Sequence, residues 1–180
     1  DTLTKDAKIQ KALQFMEEDQ DTVIDKQIEL TLIPAPTNHE QKKAARLLEM
    51  FKEEGLTDCH IDEYGNCVGI RKGTGGGKTV LVEGHMDTVF PLDTKLEIVR
   101  EDGFIKCPGI VDDTRGCATV LSTIRALNAA GIQTKGDIQF VGTVQEEGTG
   151  ALKGMKYYVD HHPELEASIS VDGPGYQEIT

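Results

Sequence analysis

The sequence predicts an α/β fold, a three-layer sandwich whose mixed sheet is parallel in its centre. Segments with strand character alternate with amphipathic helical segments along most of the chain. Residues 79–83 and 137–143 are nearly continuous apolar runs, a pattern typical of strands buried on both faces. Short acidic clusters, one of them with a histidine, follow such strands, where an α/β sheet usually gathers its functional side chains.

The first part of the chain predicts helices. Apolar residues over 7–32 share one face of a helical pattern, with a break expected near Gln20. Pro34 ends this pattern, and residues 37–40 predict a turn that leads into the next helix. That second amphipathic helix is predicted over 40–54.

The remaining elements alternate as a layered α/β domain requires. Turn residues at 64–66 and at Asp102-Gly103 predict two hairpins, one formed by 59–63 with 67–72 and one by 96–100 with 104–106. Further elements are predicted as strands at 79–83, 137–143 and 167–171, and as helices at 114–130 and 152–160. The glycine run at 73–77 precedes a strand and has Lys72 where a phosphate loop needs glycine, so it predicts a turn.

Composition restricts the possible partners. The chain has 180 residues and a formal net charge of −12, which disfavours nucleic acid as a partner. No apolar run approaches the roughly 20 residues that cross a bilayer, so a soluble chain is expected. The four cysteines form no C-x-x-C pair, which argues against a thiolate zinc site and favours a reducing, cytoplasmic compartment. Because the chain starts at Asp1 without Met, this preference is weak, and export after removal of a signal peptide is the alternative.

Four short clusters indicate a site for divalent metal ions. They contain His85 with Asp87, Asp112 with Asp113, Glu146 with Glu147, and Asp172. Each has a structural alternative when taken alone: a core histidine, a helix cap, a solvated acidic loop or a turn. Together, a histidine and several carboxylates at successive strand ends favour a metallohydrolase, with zinc as the first candidate and cobalt or manganese as others.

The residue types suggest a division of roles within this site. His85 and Asp87 are two apart in an extended segment, so Asp87 is placed to accept a hydrogen bond from the imidazole and fix its tautomer. Asp113 fits a helix N-cap, whereas Asp112 can bridge two cations through its two oxygens. Adjacent strand residues point apart, so one of Glu146 and Glu147 is expected to bind metal and the other to act as general base.

These motifs resemble a known family, the co-catalytic zinc exopeptidases that include peptidase T, aminoacylase, acetylornithine deacetylase and a glutamate-releasing carboxypeptidase. The resemblance is carried by Gly84–Val89, Pro108–Asp113 and Glu146–Gly148, and it extends from about Lys8 to Asp172. The segment 146–154 is most similar to peptidase T-like members.

The resemblance implies a dinuclear site that hydrolyses peptide bonds in small peptides, as an aminopeptidase or tripeptidase does, through a metal-activated water. It implies the following roles: His85 and Asp172 as ligands of one metal, Asp112 as bridge, Glu147 as ligand of the second metal, Glu146 as general base and Asp87 as the orienting residue. It also implies a cis peptide bond between Asp112 and Asp113.

Two features of the family find no counterpart in this sequence. Its members have a further metal-binding histidine downstream, after a lid or dimerisation domain, whereas this sequence ends at Thr180. The other histidines, namely His39, His60, His161 and His162, match no ligand position. Residues 1–180 are therefore expected to be the N-terminal part of a catalytic domain, with one metal position incomplete and a parent protein that dimerises through the absent domain. An N-acyl amino-acid amidohydrolase and a non-catalytic metal-binding domain or inactive fragment remain as alternatives.

Overall fold

The computed structural model describes residues 3–173. In chain order its helices and strands are α1 (Ala7–Glu18), α2 (Gln20–Thr31), α3 (Gln41–Glu53), β1 (Thr57–Ile61), β2 (Cys67–Arg71), β3 (Thr79–His85), β4 (Val99–Glu101), β5 (Phe104–Lys106), α4 (Thr114–Ala129), β6 (Ile138–Thr143), α5 (Lys153–His161) and β7 (Leu165–Ser170). Short 3-10 turns lie at Leu3–Lys5 and Gly148–Gly150. The order and type of the predicted elements agree with these, including the break in the first helical region, which falls at Asp19.

The main sheet is mixed and has a parallel centre, as the sequence predicts. Its strand order is β1-β2-β6-β3-β7. Strand β3 pairs in parallel with both β6 and β7, whereas β2 runs antiparallel to β6 and to β1. Strands β4 and β5 form a separate two-stranded hairpin.

Helices cover both faces of the main sheet and complete the three layers. On one face, apolar side chains of α2, α3 and α4 pack against β3 and β6 around Phe51, Ile124 and Phe140. On the other face, Tyr158 of α5 is fully buried against Leu81 and Val141. Because both faces of β3 and β6 are covered, their near-continuous apolar character is explained.

The parallel centre brings distant segments of the chain to one edge of the sheet. The carboxyl ends of β3, β6 and β7 lie side by side, so the residues that follow these strands are neighbours in space. The first turn of α4 lies at the same edge, since the N–H of His85 donates to Asp113 at the start of that helix.

Two further predictions concern segments away from this edge. The glycine run at 73–77 forms the turn between β2 and β3, where Thr74 and Gly75 donate backbone hydrogen bonds to Thr134 and Lys135. Among residues 3–173, no helix is long and apolar enough to cross a membrane.

Candidate metal centre

His85 is the central side chain of the site. It ends β3, and only 3% of its surface is exposed. Its ring Nδ1 lies 3.0 Å from the main-chain oxygen of Asp87. Because a carbonyl oxygen can only accept, Nδ1 carries the proton and Nε2 faces the acidic side chains.

Carboxylates from three different segments surround Nε2 of His85. Asp112 Oδ1 lies 3.0 Å from this nitrogen, and Glu146 Oε2 and Asp172 Oδ1 each lie 3.9 Å from it. Two groups of potential ligand atoms lie within 4.8 Å of one another: His85 with Asp112 and Asp172, and His85 with Glu146 and Glu147. Residues predicted to form one site from distant sequence positions are therefore neighbours in the structure.

Asp87 occupies the position expected for a supporting residue, but its contacts differ from the simple expectation. Its carboxylate is fully buried, and Oδ1 lies 3.5 Å from Nδ1 of His85, farther than the main-chain oxygen. The carboxylate accepts shorter hydrogen bonds from the backbone N–H groups of Glu146 (2.9 Å) and Glu147 (3.1 Å) and from the Thr37 hydroxyl (2.8 Å). Asp87 thus contacts the imidazole and also holds the segment that carries the two glutamates.

Asp112 and Asp113 have different environments. A cis peptide bond joins them, as the family resemblance implies. Asp113 is buried and caps α4, accepting from the N–H of Gly116, while its other oxygen accepts from the N–H of His85. The Asp112 side chain is 58% exposed and reaches the imidazole. Asp113 therefore combines the helix-capping role with support for His85.

Glu146 and Glu147 do not point apart as the strand alternation predicts. Strand β6 ends at Thr143, and Gln145 has a left-handed backbone conformation with φ 54°. Alternation applies only to extended backbone, so this turn lets both carboxylates approach His85. The argument from alternation is wrong here, although the two residues are still in different positions relative to the imidazole.

Negative charges outnumber positive charges in the site, which favours binding of a cation. Burial alone would lower the pKa of His85, but the Asp87 hydrogen bond and the charges of Asp113, Asp87 and Glu146 raise it to about 10. The pKa of Glu146 is raised by burial and by the nearby Asp172, Asp87 and Asp112, although His85 opposes this shift. Burial and neighbouring carboxylates also raise the pKa of Glu147. An imidazole nitrogen with several carboxylate oxygens that repel one another is a donor set that fits divalent metal ions.

An apolar cavity adjoins the acidic cluster. Its volume is about 270 Å³, and Asp112 and Glu147 form its polar end. The remaining wall is formed by Val89, Phe90, Cys107, Pro108, Gly109, Ile110 and Val111. Val89 and Val111 expose 63% and 50% of their surface, so apolar side chains border the site on this side.

Sequence reasoning missed the residues that support the site from the segment before α3. Thr37 contacts Asp87, whereas the sequence of residues 37–40 predicts only a turn leading into that helix. The two residues are 50 positions apart in the sequence, and a threonine in a turn carries no pattern that indicates such a contact. Among the contacts of residues 3–173, none joins a histidine outside the family motifs to the acidic cluster. His161, for example, contacts the main-chain oxygen of Tyr157 within α5.

The fold and the site define a class of protein, an α/β metallohydrolase with its acidic site at the carboxyl edge of a parallel sheet. Residues 81–180 match peptidase family M20/M25/M40. This match covers more than half of the chain, and the chain belongs to this family. The predicted family, fold class and hydrolase class are thereby confirmed.

Individual relatives agree with this assignment. The chain is 30% identical over 142 residues to a succinyl-diaminopimelate desuccinylase of Corynebacterium glutamicum, a match that covers 78% of this chain and 38% of that protein. The aminopeptidase PepT of Bacillus cereus superposes with a TM-score of 0.73 at 26% identity, covering 87% of this chain and 44% of that one. A tripeptidase of Staphylococcus aureus superposes with a TM-score of 0.68 at 27% identity, covering 85% and 43%. The chain thus spans less than half the length of each of these relatives.

Proposed function

We propose that this chain carries most of the catalytic site of a metal-dependent exopeptidase that hydrolyses small peptides, as an aminopeptidase or tripeptidase does. The observation that supports this best is the convergence of Asp112, Glu146, Glu147 and Asp172 around Nε2 of His85. The similarity to an aminopeptidase and a tripeptidase over more than four-fifths of the chain favours peptides as substrates.

In this proposal the ligands have distinct roles. His85 and Asp172 would hold one metal ion, Glu147 would hold the second, and Asp112 would contribute to both positions. Asp112 is suited to bridging because its side chain is exposed and lies within reach of the imidazole. Divalent cations held there, with zinc as the first candidate and cobalt or manganese also suited, would supply the charge that polarises the scissile carbonyl and lowers the pKa of the attacking water.

Glu146 is the proposed general base. Its raised pKa means that it accepts a proton more readily than an ordinary glutamate, which suits transfer near neutral pH. Glu146 takes a proton from the attacking water and returns it to the leaving amine. Asp87 is not in contact with substrate in this scheme; it orients His85 and holds the backbone N–H groups of Glu146 and Glu147.

The apolar cavity next to Asp112 and Glu147 is the proposed site of a substrate side chain. Its volume suits one amino-acid side chain, and its wall offers Val89, Phe90 and Ile110 for contact. In residues 3–173, the carboxylates of Asp112 and Glu147 are the charged groups that line this cavity. Small peptides with an apolar residue next to the scissile bond are therefore the preferred substrates.

Within hydrolases, an N-acyl amino-acid amidohydrolase is the alternative, and the similarity to a desuccinylase favours it. Both activities cleave an amide bond with the same ligands and base. Comparing kcat/KM for a tripeptide and for the N-succinyl derivative of an amino acid, in the full-length protein that contains this chain, distinguishes the two. A non-catalytic metal-binding domain or inactive fragment, the alternative outside enzymes, requires that neither compound is cleaved while metal still binds.

Glu146→Gln tests the proposed chemistry. The substitution preserves the size of the side chain but removes the basic oxygen, so turnover falls by about 10²–10⁴-fold while metal content is unchanged. Glu166→Gln is the matched control, because Glu166 is half exposed and pairs with Lys78 away from the site. Undiminished kcat in the Glu146 variant would contradict the assignment of the base.

The organisation of the whole protein is a further part of the proposal. We infer that residues 1–180 form the N-terminal part of a catalytic domain and that a downstream segment supplies another metal-binding histidine, together with a lid through which the parent protein dimerises. The partial coverage of each relative supports this inference. Sedimentation of the full-length protein, expected to show a dimer, tests it together with metal content.

A further inference from the structure

The segment that carries Glu146 and Glu147 is held through its backbone to an unusual degree. Four consecutive N–H groups, those of residues 144–147, each donate to a side-chain oxygen. The pairs are Val144 to Asn66 Oδ1 (3.1 Å), Gln145 to Glu40 Oε1 (3.1 Å), Glu146 to Asp87 Oδ1 (2.9 Å) and Glu147 to Asp87 Oδ2 (3.1 Å).

The carbonyl groups of the same residues are held by the following turn. Four consecutive oxygens, those of residues 144–147, accept from backbone N–H groups at the start of α5 or just before it. The pairs are Val144 with Gly154 (3.1 Å), Gln145 with Lys153 (3.1 Å), Glu146 with Leu152 (3.1 Å) and Glu147 with Gly150 (2.8 Å). The backbone of this segment therefore has a partner for every donor and acceptor, and the side chains of the two glutamates are left to act in the site.

Asp87 already has a place in the site, but Glu40 and Asn66 do not. Both are buried, with 3% and 0% of their surface exposed, and they come from the start of α3 and the turn before β2. Burying a polar side chain costs free energy unless it forms hydrogen bonds. Here Glu40 and Asn66 form those bonds with the segment that carries Glu146.

The contacts of Glu40 join two segments on either side of the site. One oxygen, Oε1, accepts from the N–H of Asn38 at 2.9 Å and from the N–H of Gln145 at 3.1 Å. Gln145 has φ 54°, which an L-residue adopts only when its surroundings hold it. The N–H of Gln145 donates to Glu40, and the N–H of Glu146 donates to Asp87. These two hydrogen bonds hold the amides on either side of the left-handed residue.

Asn66 links both sides of the segment. Its Nδ2 donates to Asp62 Oδ2 at 2.8 Å and to the carbonyl of Gly154 at 3.1 Å. Because both of those partners can only accept, Oδ1 must face the N–H of Val144. One amide side chain thus ties the entry of the segment to the helix that follows it.

From this geometry we propose that Glu40 and Asn66 are positioning residues, which fix the backbone of residues 144–147 so that Glu146 and Glu147 keep their places around His85. This rests on the proposed function, since it assigns a purpose to the placement of those two glutamates. Neither residue touches the reacting atoms. Their effect reaches the site through the backbone, as outer partners of metal ligands commonly do.

The decisive experiment measures the segment itself before any metal is added. Amide hydrogen exchange of residues 144–147 is followed by NMR in the metal-free chain for the wild type, Glu40→Gln and Glu40→Ala. We expect the Gln145 amide to exchange at least about tenfold faster in Glu40→Ala, with Glu40→Gln intermediate because its amide oxygen can still accept both hydrogen bonds but carries no negative charge. Asn66→Ala should accelerate exchange at Val144 in the same way.

Zinc titration of the same samples then tests the consequence for the site. Resonances of Glu147 and Asp172 report on the two proposed metal positions separately. In Glu40→Ala the apparent zinc affinity at Glu147 should fall by about 10–100-fold, with Asp172 much less affected. Ile124→Val is the control, because it trims a buried side chain of α4 and lowers stability without removing any of the hydrogen bonds that hold the segment.

The possible results separate the two levels of the proposal. Unchanged exchange at Gln145 in Glu40→Ala, or equal losses at Glu147 and Asp172 that match those of Ile124→Val, would overturn the positioning role. A third result is also possible: the Gln145 amide exchanges faster in Glu40→Ala, but neither Glu147 nor Asp172 of the wild type responds to zinc. That result would support the positioning of the segment and contradict the proposed metal site.

Discussion

At the scale of single residues, the site depends on buried carboxylates that serve as hydrogen-bond acceptors. Asp87 accepts from two consecutive backbone amides and a hydroxyl while remaining fully buried. Burial alone would raise its pKa, but the hydrogen bonds from His85, Glu146, Thr37 and Glu147 together lower it. Asp87 is therefore ionised in the folded protein, and its negative charge is part of the environment that favours a cation.

Asp87→Asn should destabilise the metal-free protein. The introduced amide group can accept from one of the two backbone N–H groups but presents a donor to the other or to Thr37. Leaving a buried donor without an acceptor costs about 1–3 kcal/mol in free energy of unfolding, measured by urea denaturation. The exposed Asp93→Asn serves as control and should change stability by less than about 0.5 kcal/mol. Equal stability of the two variants would contradict the role given to Asp87.

The sequence indicates which acidic side chains meet around His85 better than it indicates the residues that support them. The approach of Asp112, Glu146 and Asp172 to His85 could be predicted because each follows a recognisable strand or opens a helix, and parallel strand ends meet at one edge. Glu40 and Asn66 could not, because an acid before a helix and an asparagine in a turn have ordinary local explanations. Their contacts with residues 144 and 145 depend on the tertiary packing of α3 and β2.

At the scale of elements, the approach of α4 to β3 determines where Asp112 lies. A Cβ atom added to Gly116 would lie 2.2 Å from both carboxylate oxygens of Asp113 and from the main-chain oxygen of Val171. A Cβ on Gly84 would lie 2.9 Å from the carbonyl carbon of Gly116. Glycine at these two positions allows the helix start and the strand end to come together beside the site.

Gly116→Ala should therefore displace the start of α4. Overpacking of this kind costs about 1–3 kcal/mol in free energy of unfolding. It should also weaken zinc binding, because the displaced turn carries Asp112 and the cap Asp113. Calorimetric titration and urea denaturation measure the two effects. Thr119→Ala, at a half-buried position about one turn further along the same helix, is the control, and a Gly116 variant that behaves like it would contradict the close approach.

A second pair of elements is joined by an ion pair that predicts a pH dependence. Arg125 of α4 donates to both oxygens of Asp19 at the α1–α2 junction, at 2.6 and 2.8 Å, and to Glu54 at 2.8 Å. The hydrogen bonds from Arg125 hold the pKa of Asp19 below its ordinary value of 3.8. The pair therefore contributes stability at any pH above about 3.8, and this contribution disappears as the pH falls through the lowered pKa.

Asp19→Asn should lower the free energy of unfolding by about 2 kcal/mol at pH 7, since charged hydrogen bonds with a partly buried arginine are lost. The difference from the wild type should stay constant down to about pH 4 and shrink below it. Urea denaturation at a series of pH values measures this difference. Asp6→Asn is no suitable control because Asp6 caps α1, whereas Asp93→Asn, at an exposed position, should change stability by less than about 0.5 kcal/mol at pH 7. A difference that persists undiminished below pH 3 would contradict the ionic role.

Element types were more predictable than their connections. The helices and strands follow from periodicity and turn residues, and the observed bounds differ from those predicted by a few residues. The strand order β1-β2-β6-β3-β7 was not predicted, because nothing local in the sequence specifies that β6 inserts between β2 and β3. That insertion decides the site, since it places Glu146 and Glu147 next to His85.

At the scale of the whole molecule, folding brings like charges together. The chain has a net charge of −12, and several of its carboxylates meet at one edge of the sheet around a single histidine. Their mutual repulsion opposes folding in the absence of a cation. Binding of a divalent metal to the folded state, as proposed above, would relieve this repulsion, so the stability of the chain and the occupancy of the site should be coupled.

The last prediction follows from that coupling. After dialysis against trace zinc, the 180-residue chain should retain one tightly bound ion, because His85, Asp112 and Asp172 form the more complete position. Zinc at 100 times its dissociation constant should raise the free energy of unfolding by about 2.7 kcal/mol. His85→Ala should abolish both effects, whereas His60→Ala, at an exposed position of β1, should preserve them. Elemental analysis and urea denaturation give the two readouts. Two ions per chain would mean that another residue of this chain completes the second position. If zinc leaves the free energy of unfolding of the wild type unchanged, the coupling between the acidic edge and the fold is contradicted.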